Sequence, residues 1–248
     1  MTDQSNEAEA TVEATARLDE QLRAIAARMT KDDRPISPDG VVEVALLAVP
    51  HAQHVGVTLL RAGRAPKSAA ATDEVPDSLD QLQFALRDGP CLDAATGPPV
   101  VTAPDLEHDG RYPTYGPRCV EETGIRSMLC LRLPLGGEDH AGLNFYSSEL
   151  DAFSDEDVAA GSLLVPFAAL VIEAELRRED VSNLTTALES SRVISGAVGI
   201  LMATHRLSRD DAFAVLRRTS MDLNLKLRAV AEHVEFTGDL PEPPARGR

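Results

Sequence analysis

In the last quarter of the chain, apolar positions recur at helical spacing in three successive groups. Val193, Ala197, Ile200 and Leu201 share one helix face. Ala212, Phe213 and Leu216 form a second apolar side, and Leu227, Val230, Ala231 and Val234 a third. Ser208 precedes the second group as an N-cap, with Asp211 three residues on as its capping-box partner. The first helix also carries Gly196, Gly199 and Ala203 on a face of very small residues. A glycine costs about 1 kcal/mol relative to alanine inside a helix, so this face predicts close approach of another backbone. Three short helices can bury their apolar sides only against one another. Residues 190–234 therefore predict a small three-helix all-α module.

Upstream the pattern is different. Residues 1–14 are acidic, small and polar and predict a disordered tail. Leu18, Leu22, Ile25 and Met29 predict a helix over 16–29, and Ser37 caps a second helix that runs to about Ala48 through Val41, Val44 and Ala45. From His54 the period shifts towards two. Strands are predicted over 54–60 and 66–74 around Gly63, over 98–106 between prolines, and over 125–135 and 140–148 as a hairpin turning at Gly136 and Gly137. Leu79, Leu82, Phe84 and Leu86 mark a helix that stops at Asp88, Gly89 and Pro90, and another is predicted over 111–123. Antiparallel strands flanked by helices give an α+β fold class rather than a doubly wound sheet.

Between these two regions a long connecting helix is predicted over 154–190. Leu163, Phe167, Leu170, Ala174, Arg177, Val181, Leu184 and Leu188 alternate steps of four and three. That heptad seam, interrupted by Arg177, predicts packing on the chain's own sheet before Ala174 and a parallel two-stranded coiled coil beyond it, hence a homodimer. The helix spans roughly 55 Å at 1.5 Å per residue, with a kink expected at Pro166.

At 248 residues the chain is one large domain or two modest ones. Three widely spaced cysteines give neither a disulfide framework nor a zinc-ligand pairing. No apolar run approaching the ~18 residues of a membrane span is expected, and residues 1–16 lack the parts of a signal peptide, so the expected location is cytoplasmic, without membrane contact. The formal net charge of −16 is unevenly placed, −17 over residues 1–180 and +1 over 181–237. A polyanionic partner can only belong to the C-terminal part.

No catalytic constellation emerges, and the expectation is a non-enzyme without cofactor or metal. Cys91, Cys119 and Cys130 are expected as two small buried residues and one helix residue. Thiol catalysis by Cys91 or Cys119 needs a lowered pKa, and neither has a neighbouring Lys or His. His108, a possible haem or metal ligand, is expected as a surface loop residue. The adjacent Glu121 and Glu122 point apart on a helix and are expected to be solvated.

Several segments together resemble a GAF domain of the actinobacterial sensor type: residues 87–94, 98–106, 111–113, 124–135, 141–147 and 152–157. The resemblance covers about 18–174 and implies a regulatory pocket on one face of the sheet, open to a small-molecule ligand or a protein partner, without identifying either. The Asn-Lys, Phe and Asp-Glu pattern of cyclic-nucleotide GAF domains is absent, Asn144 and Phe145 standing alone. One GAF-fold family reduces free methionine sulfoxide with cysteines near the pocket, which makes a thiol-dependent reductase an alternative.

Residues 187–194, 199–203, 207–220 and 224–232 resemble the ANTAR domain, an RNA-binding module of bacterial antitermination regulators. Where that family usually has Gly-Gln-Ala-Lys-Gly, this chain has Ser195, Gly196, Ala197, Val198 and Gly199, with Val198 in the place of the lysine. Arg217, Arg218, Lys226 and Arg228 cluster around the junction of the second and third helices. Ser220 and Asn224 lie between them, and Arg192 is a further contact on the first helix. Basic side chains fix phosphates while polar groups read unstacked bases of a hairpin loop.

The expected organisation is a tail over 1–14, a GAF sensor over 15–174, a helical linker over 175–189, an ANTAR domain over 184–238 and a flexible tail over 239–248. It implies a dimeric antiterminator binding tandem stem-loops of leader transcripts. The alternatives are a DNA-binding transcription factor, disfavoured because no compact four-residue turn is expected between the second and third helices, the reductase, and a sensor whose last helices only dimerise.

Overall fold

The computed structural model describes residues 37–241. The expected tail over 1–14, the helix over 16–29 and the part of the last tail beyond 241 lie outside the described residues. The chain forms two compact units, divided between Leu176 and Arg177.

Unit 1 is built on five antiparallel strands, β1 (His54–Leu60), β2 (Lys67–Ala71), β3 (Val100–Ala103), β4 (Ser127–Leu133) and β5 (His140–Ser147), in the order β2-β1-β5-β4-β3. Its helices are α1 (Pro38–Ala48), α2 (Glu74–Leu86), α3 (Pro90–Thr96), α4 (Tyr115–Thr123) and the start of α5 (Asp155–His205). The α+β class is as expected. The short helix α3 is an addition: Asp88, Gly89 and Pro90 end α2, but Pro90 also occupies the first turn of a new helix, where its missing N–H is harmless.

The strand alternation explains why both faces are covered. Leu129, Leu131 and Leu133 of β4 join Val57, Leu143 and Phe145 under α1 and α5, while Met128, Cys130 and Tyr146 pack with Leu79, Cys91 and Tyr115 on the other side. Apolar residues at consecutive positions therefore serve two cores. Two cappings fix the helices on the first face. Ser37 accepts from the Gly40 amide at 3.3 Å. Ser154 caps α5, its Oγ accepting from the Asp157 amide at 3.3 Å while its own amide donates to Asp157 Oδ2 at 2.9 Å, a reciprocal capping box.

α5 departs from expectation in three respects. It is one helix from Asp155 to His205, with Pro166 inside it, so the linker and the first helix of the C-terminal module are parts of a single element. Its sheet-facing side is Leu164, Ala168, Ile172 and Leu176, not the heptad seam. Leu163 and Leu170, expected on the sheet, are each more than half exposed, as are Val181, Leu184 and Leu188. These five seam residues therefore face solvent, while Phe167 of the same seam packs against the sheet core. Finally, α5 is by length and composition apolar enough to cross a membrane, contrary to the expectation that no such stretch exists. The inward side of its apolar part packs into the sheet core.

Unit 2 comprises the C-terminal part of α5, α6 (Arg209–Asp222) and α7 (Leu227–Thr237). Ala197, Val198, Leu201, Ala212, Leu216, Val230, Ala231 and Val234 form its core. Among the described residues the small-residue face meets no other backbone, contrary to expectation: a Cβ on Gly196 meets the flexible Glu235 carboxylate, and one on Gly199 meets nothing within 4 Å.

Candidate functional site

Two places in the molecule concentrate polar chemistry. The first lies in unit 1, between the sheet and α2, where the resemblance implied a pocket. Thr58 and Ser68 donate their hydroxyls to the two oxygens of Asp80 at 2.7 and 2.8 Å, and Asn144 Nδ2 donates to Thr58 Oγ1 at 2.8 Å. Gln83 Oε1 accepts from the Cys91 amide at 2.9 Å. Asn144 Oδ1 and Gln83 Nε2 are buried without a partner among the described residues.

Burial pushes the Asp80 carboxyl up to about 6, against the downward pull of its two hydroxyl donors, and Asp77 adds repulsion. The native state thus binds this proton before the unfolded chain does, so the contribution of Asp80 to stability falls as pH rises from about 4 through 6. Asp73 and Asp157 act elsewhere: burial pushes them up but is outweighed by hydrogen bonds that include those from His54 and Ser154, so both titrate below the usual range. The expected result is a loss of about 3 kcal/mol across that window, absent in Asp80→Asn. Urea unfolding followed at pH 4 and pH 7 checks it, and equal slopes for the two proteins would contradict it.

The cysteines lie on this side of the sheet and all three are buried. Cys91 Sγ is 3.8 Å from Cys130 Sγ and 3.5 Å from the Tyr146 hydroxyl. Burial pushes the Cys119 thiol up to about 11 and raises Cys130 well above its ordinary value. A thiolate nucleophile needs the opposite shift. His108 is a surface residue whose Nδ1 is 2.9 Å from Asp105 Oδ2, and Arg111 pairs with Asp109 while donating to the Thr102 carbonyl.

The second place is the α6–α7 end of unit 2. Ser208 caps α6 through the Asp211 amide at 3.2 Å and donates to the Asp211 carboxylate at 2.6 Å, so the expected capping pair is present. The connection to α7 is residues 223–226. That is a four-residue turn, contrary to expectation, and so compact a turn is compatible with binding to duplex DNA. Asn224 makes the turn possible with φ 52°, a left-handed conformation that asparagine tolerates. Ser220 pins it, its hydroxyl donating to the Leu225 carbonyl at 2.6 Å while its own carbonyl accepts from the Leu225 amide at 3.0 Å.

The seven residues singled out from sequence therefore divide. Arg217, Arg218, Asn224 and Lys226 are exposed around this turn, and among the described residues the three cations have no ion pair. Ser220 holds the turn that presents them. Arg228 is engaged: its Nε donates to Glu232 Oε1 at 2.8 Å, Nη1 reaches Ser190 Oγ at 3.4 Å and Nη2 lies 3.8 Å from Glu189. This ties the start of α7 to α5 half a turn before Arg192, itself exposed. Val198, expected at a phosphate-contact position, is buried in the helical core.

Two exposed cations escaped the sequence reasoning, Arg206 with φ 53° and Arg209 at the start of α6. The four-residue step from Arg209 through Phe213 to Arg217 was the available signal. Phe213 itself, expected on the apolar side of α6, is 43% exposed, because Ala212 and Leu216 fill the core between the helices.

Fold and site together define an α+β unit joined by a long helix to a small all-α module that carries a group of exposed cations around one turn. Residues 182–234 match the family model of the ANTAR domain. The chain thus carries an ANTAR domain, an RNA-binding module of antitermination regulators, over about a fifth of its length. No curated protein matches the sequence.

Solved structures similar to unit 1 include the GAF domain of a phosphoenolpyruvate-protein phosphotransferase from Coxiella burnetii, 17% identical over 66% of this chain and 96% of that one, with a TM-score of 0.48. The GAF domain of a putative sensor histidine kinase from Pseudomonas syringae pv. tomato is 16% identical over 71% and 98%, with a TM-score of 0.46. A type II free methionine-R-sulfoxide reductase from Thermoplasma acidophilum is 19% identical over 55% and 89%, with a TM-score of 0.42.

Proposed function

We propose that this protein is a signal-responsive RNA-binding regulator that holds stem-loops of a nascent transcript and so lets transcription pass a terminator. The observation that carries this reading is the ANTAR match over 182–234, in the segment that bears the exposed cations Arg192, Arg217, Arg218 and Lys226, which have no ion pair among the described residues. Two chains associate through the seam of α5, and each of the two modules grips one hairpin. Unit 1 receives the signal, a small molecule or a protein partner, and α5, the one element common to both units, passes it on.

RNA that co-purifies with the full chain is sequenced, and the tandem hairpins recovered are used in gel shifts. Failure to recover or bind any hairpin RNA, with or without candidate ligands, ends this reading. Arg217→Ala combined with Lys226→Ala is expected to weaken binding about tenfold or more and to lower the slope of log affinity against log salt by nearly two, since each phosphate contact contributes roughly 0.7–0.9 to that slope. An unchanged slope removes both residues from the phosphate contacts.

The four-residue turn at 223–226 supports a second reading, duplex DNA recognition by a helix pair. Competition of duplex DNA against hairpin RNA on the wild-type chain separates the two.

A further inference from the structure

Two phenylalanines of unit 2 stand outside its core, Phe213 at 43% and Phe236 at 92% exposure. Their charge environments are opposite. On α6, Arg209, Phe213, Arg217 and Met221 recur every four residues, and all four are exposed. Residues four apart on a helix are neighbours, so the ring of Phe213 is bracketed by two guanidinium groups, neither in an ion pair among the described residues. Asp210 is the one acidic side chain at neighbouring helical spacing. Phe236 on α7 instead follows Glu235, with Glu232 one turn before it and Asp239 three residues after. A phosphate chain is repelled there and attracted at Phe213.

We infer that Phe213 is a stacking platform for an unpaired nucleobase of the bound hairpin loop, with Arg209 and Arg217 holding the phosphates on either side of that base. This rests on the RNA-binding reading above. An aromatic face accepts any base, and stacking on it is a principal mode of single-strand RNA recognition. Phe, Met and Arg also recur in protein-binding patches, so the sedimentation of Phe213→Ala separates that role from base stacking. Here cations are interleaved with the apolar positions. The same helix thus carries contacts of two kinds, arginines that respond to salt and a ring that does not.

The test is affinity for the tandem-hairpin RNA recovered with the wild-type chain, measured by fluorescence anisotropy. Phe213→Ala is expected to weaken binding about tenfold with an unchanged salt slope, Phe213→Tyr to retain affinity, and Phe236→Ala to have no effect. An RNA with abasic loop positions is expected to bind the wild-type chain about as weakly as the intact RNA binds Phe213→Ala. That arm uses unaltered protein and stands even if the alanine variant misfolds.

Wild-type affinity in both Phe213→Ala and the abasic RNA overturns the inference and leaves the RNA-binding reading intact. Absence of any RNA binding by the wild-type chain removes that reading itself. A change of sedimentation in Phe213→Ala, with RNA affinity retained per dimer, assigns the ring to a protein contact and also overturns the inference.

Discussion

Leu184→Asp combined with Leu188→Asp is expected to convert the protein from dimer to monomer and to reduce its affinity for a tandem-hairpin RNA by about a hundredfold. Both side chains lie on the exposed seam of α5, at 62% and 63% exposure. They continue the alternating steps of four and three that begin at Leu163. Burying a leucine stabilises by roughly 1.5–3 kcal/mol. Four leucines removed from a two-chain seam cost at least about 5 kcal/mol, more than three orders of magnitude in the dimer constant. Facing carboxylates add repulsion.

The RNA effect follows from linkage. Two modules held together bind tandem hairpins with an avidity that exceeds single-site affinity by roughly 10²–10⁴. Binding of a single hairpin should therefore change little while tandem binding falls. Sedimentation velocity with both RNAs reads both effects. A variant that sediments as the wild type does places the association elsewhere.

The second large effect is expected at Gly116, in the first turn of α4. Its Cα lies so close to the Leu106 carbonyl that an added Cβ would collide with that backbone oxygen, and its amide donates to the Tyr112 carbonyl at 2.9 Å. No side-chain rotation relieves the clash, because the obstructing atoms are main chain. Gly116→Ala must separate α4 from the segment after β3, disturbing the cluster of Leu106, Tyr112, Tyr115 and Cys119. A cost of about 3 kcal/mol or more is expected, which lowers the melting temperature of unit 1 by roughly 10 °C. Calorimetry on the full chain reads it, and a shift of less than about 2 °C would show that α4 moves freely.

Much of the architecture was legible in the residues. Ser37, Ser154 and Ser208 all begin helices, because a short side-chain oxygen satisfies the free amides of a first turn wherever it occurs. The strands were legible through their period and the hairpin glycines. The helices of unit 2 followed from Ala197, Leu201, Leu216, Val230 and Val234, spaced to share faces. What was not legible depended on partners distant in sequence. Gly196 and Gly199 suggested a backbone contact, since a small residue indicates room but not what fills it. Val198 sat where a resemblance placed a surface lysine, yet it packs inside. Among the cations, only the fold distinguishes Arg228, held by Glu232 and Glu189, from Lys226, which has no ion pair among the described residues.

By itself the sequence determined the α+β class of unit 1, the helical module after it and the change of charge between them. These are properties of local spacing and composition, and each residue carries them wherever the chain goes. Tertiary structure alone decided which side of α5 meets the sheet, leaving Leu163 and Leu170 in solvent, and which arginines of the module have no ion pair among the described residues. It also decided that Phe213, which the sequence places between Arg209 and Arg217, stands outside the core. Burial and pairing depend on what arrives from elsewhere in the chain, and helical periodicity does not say which of two apolar stripes the sheet will cover.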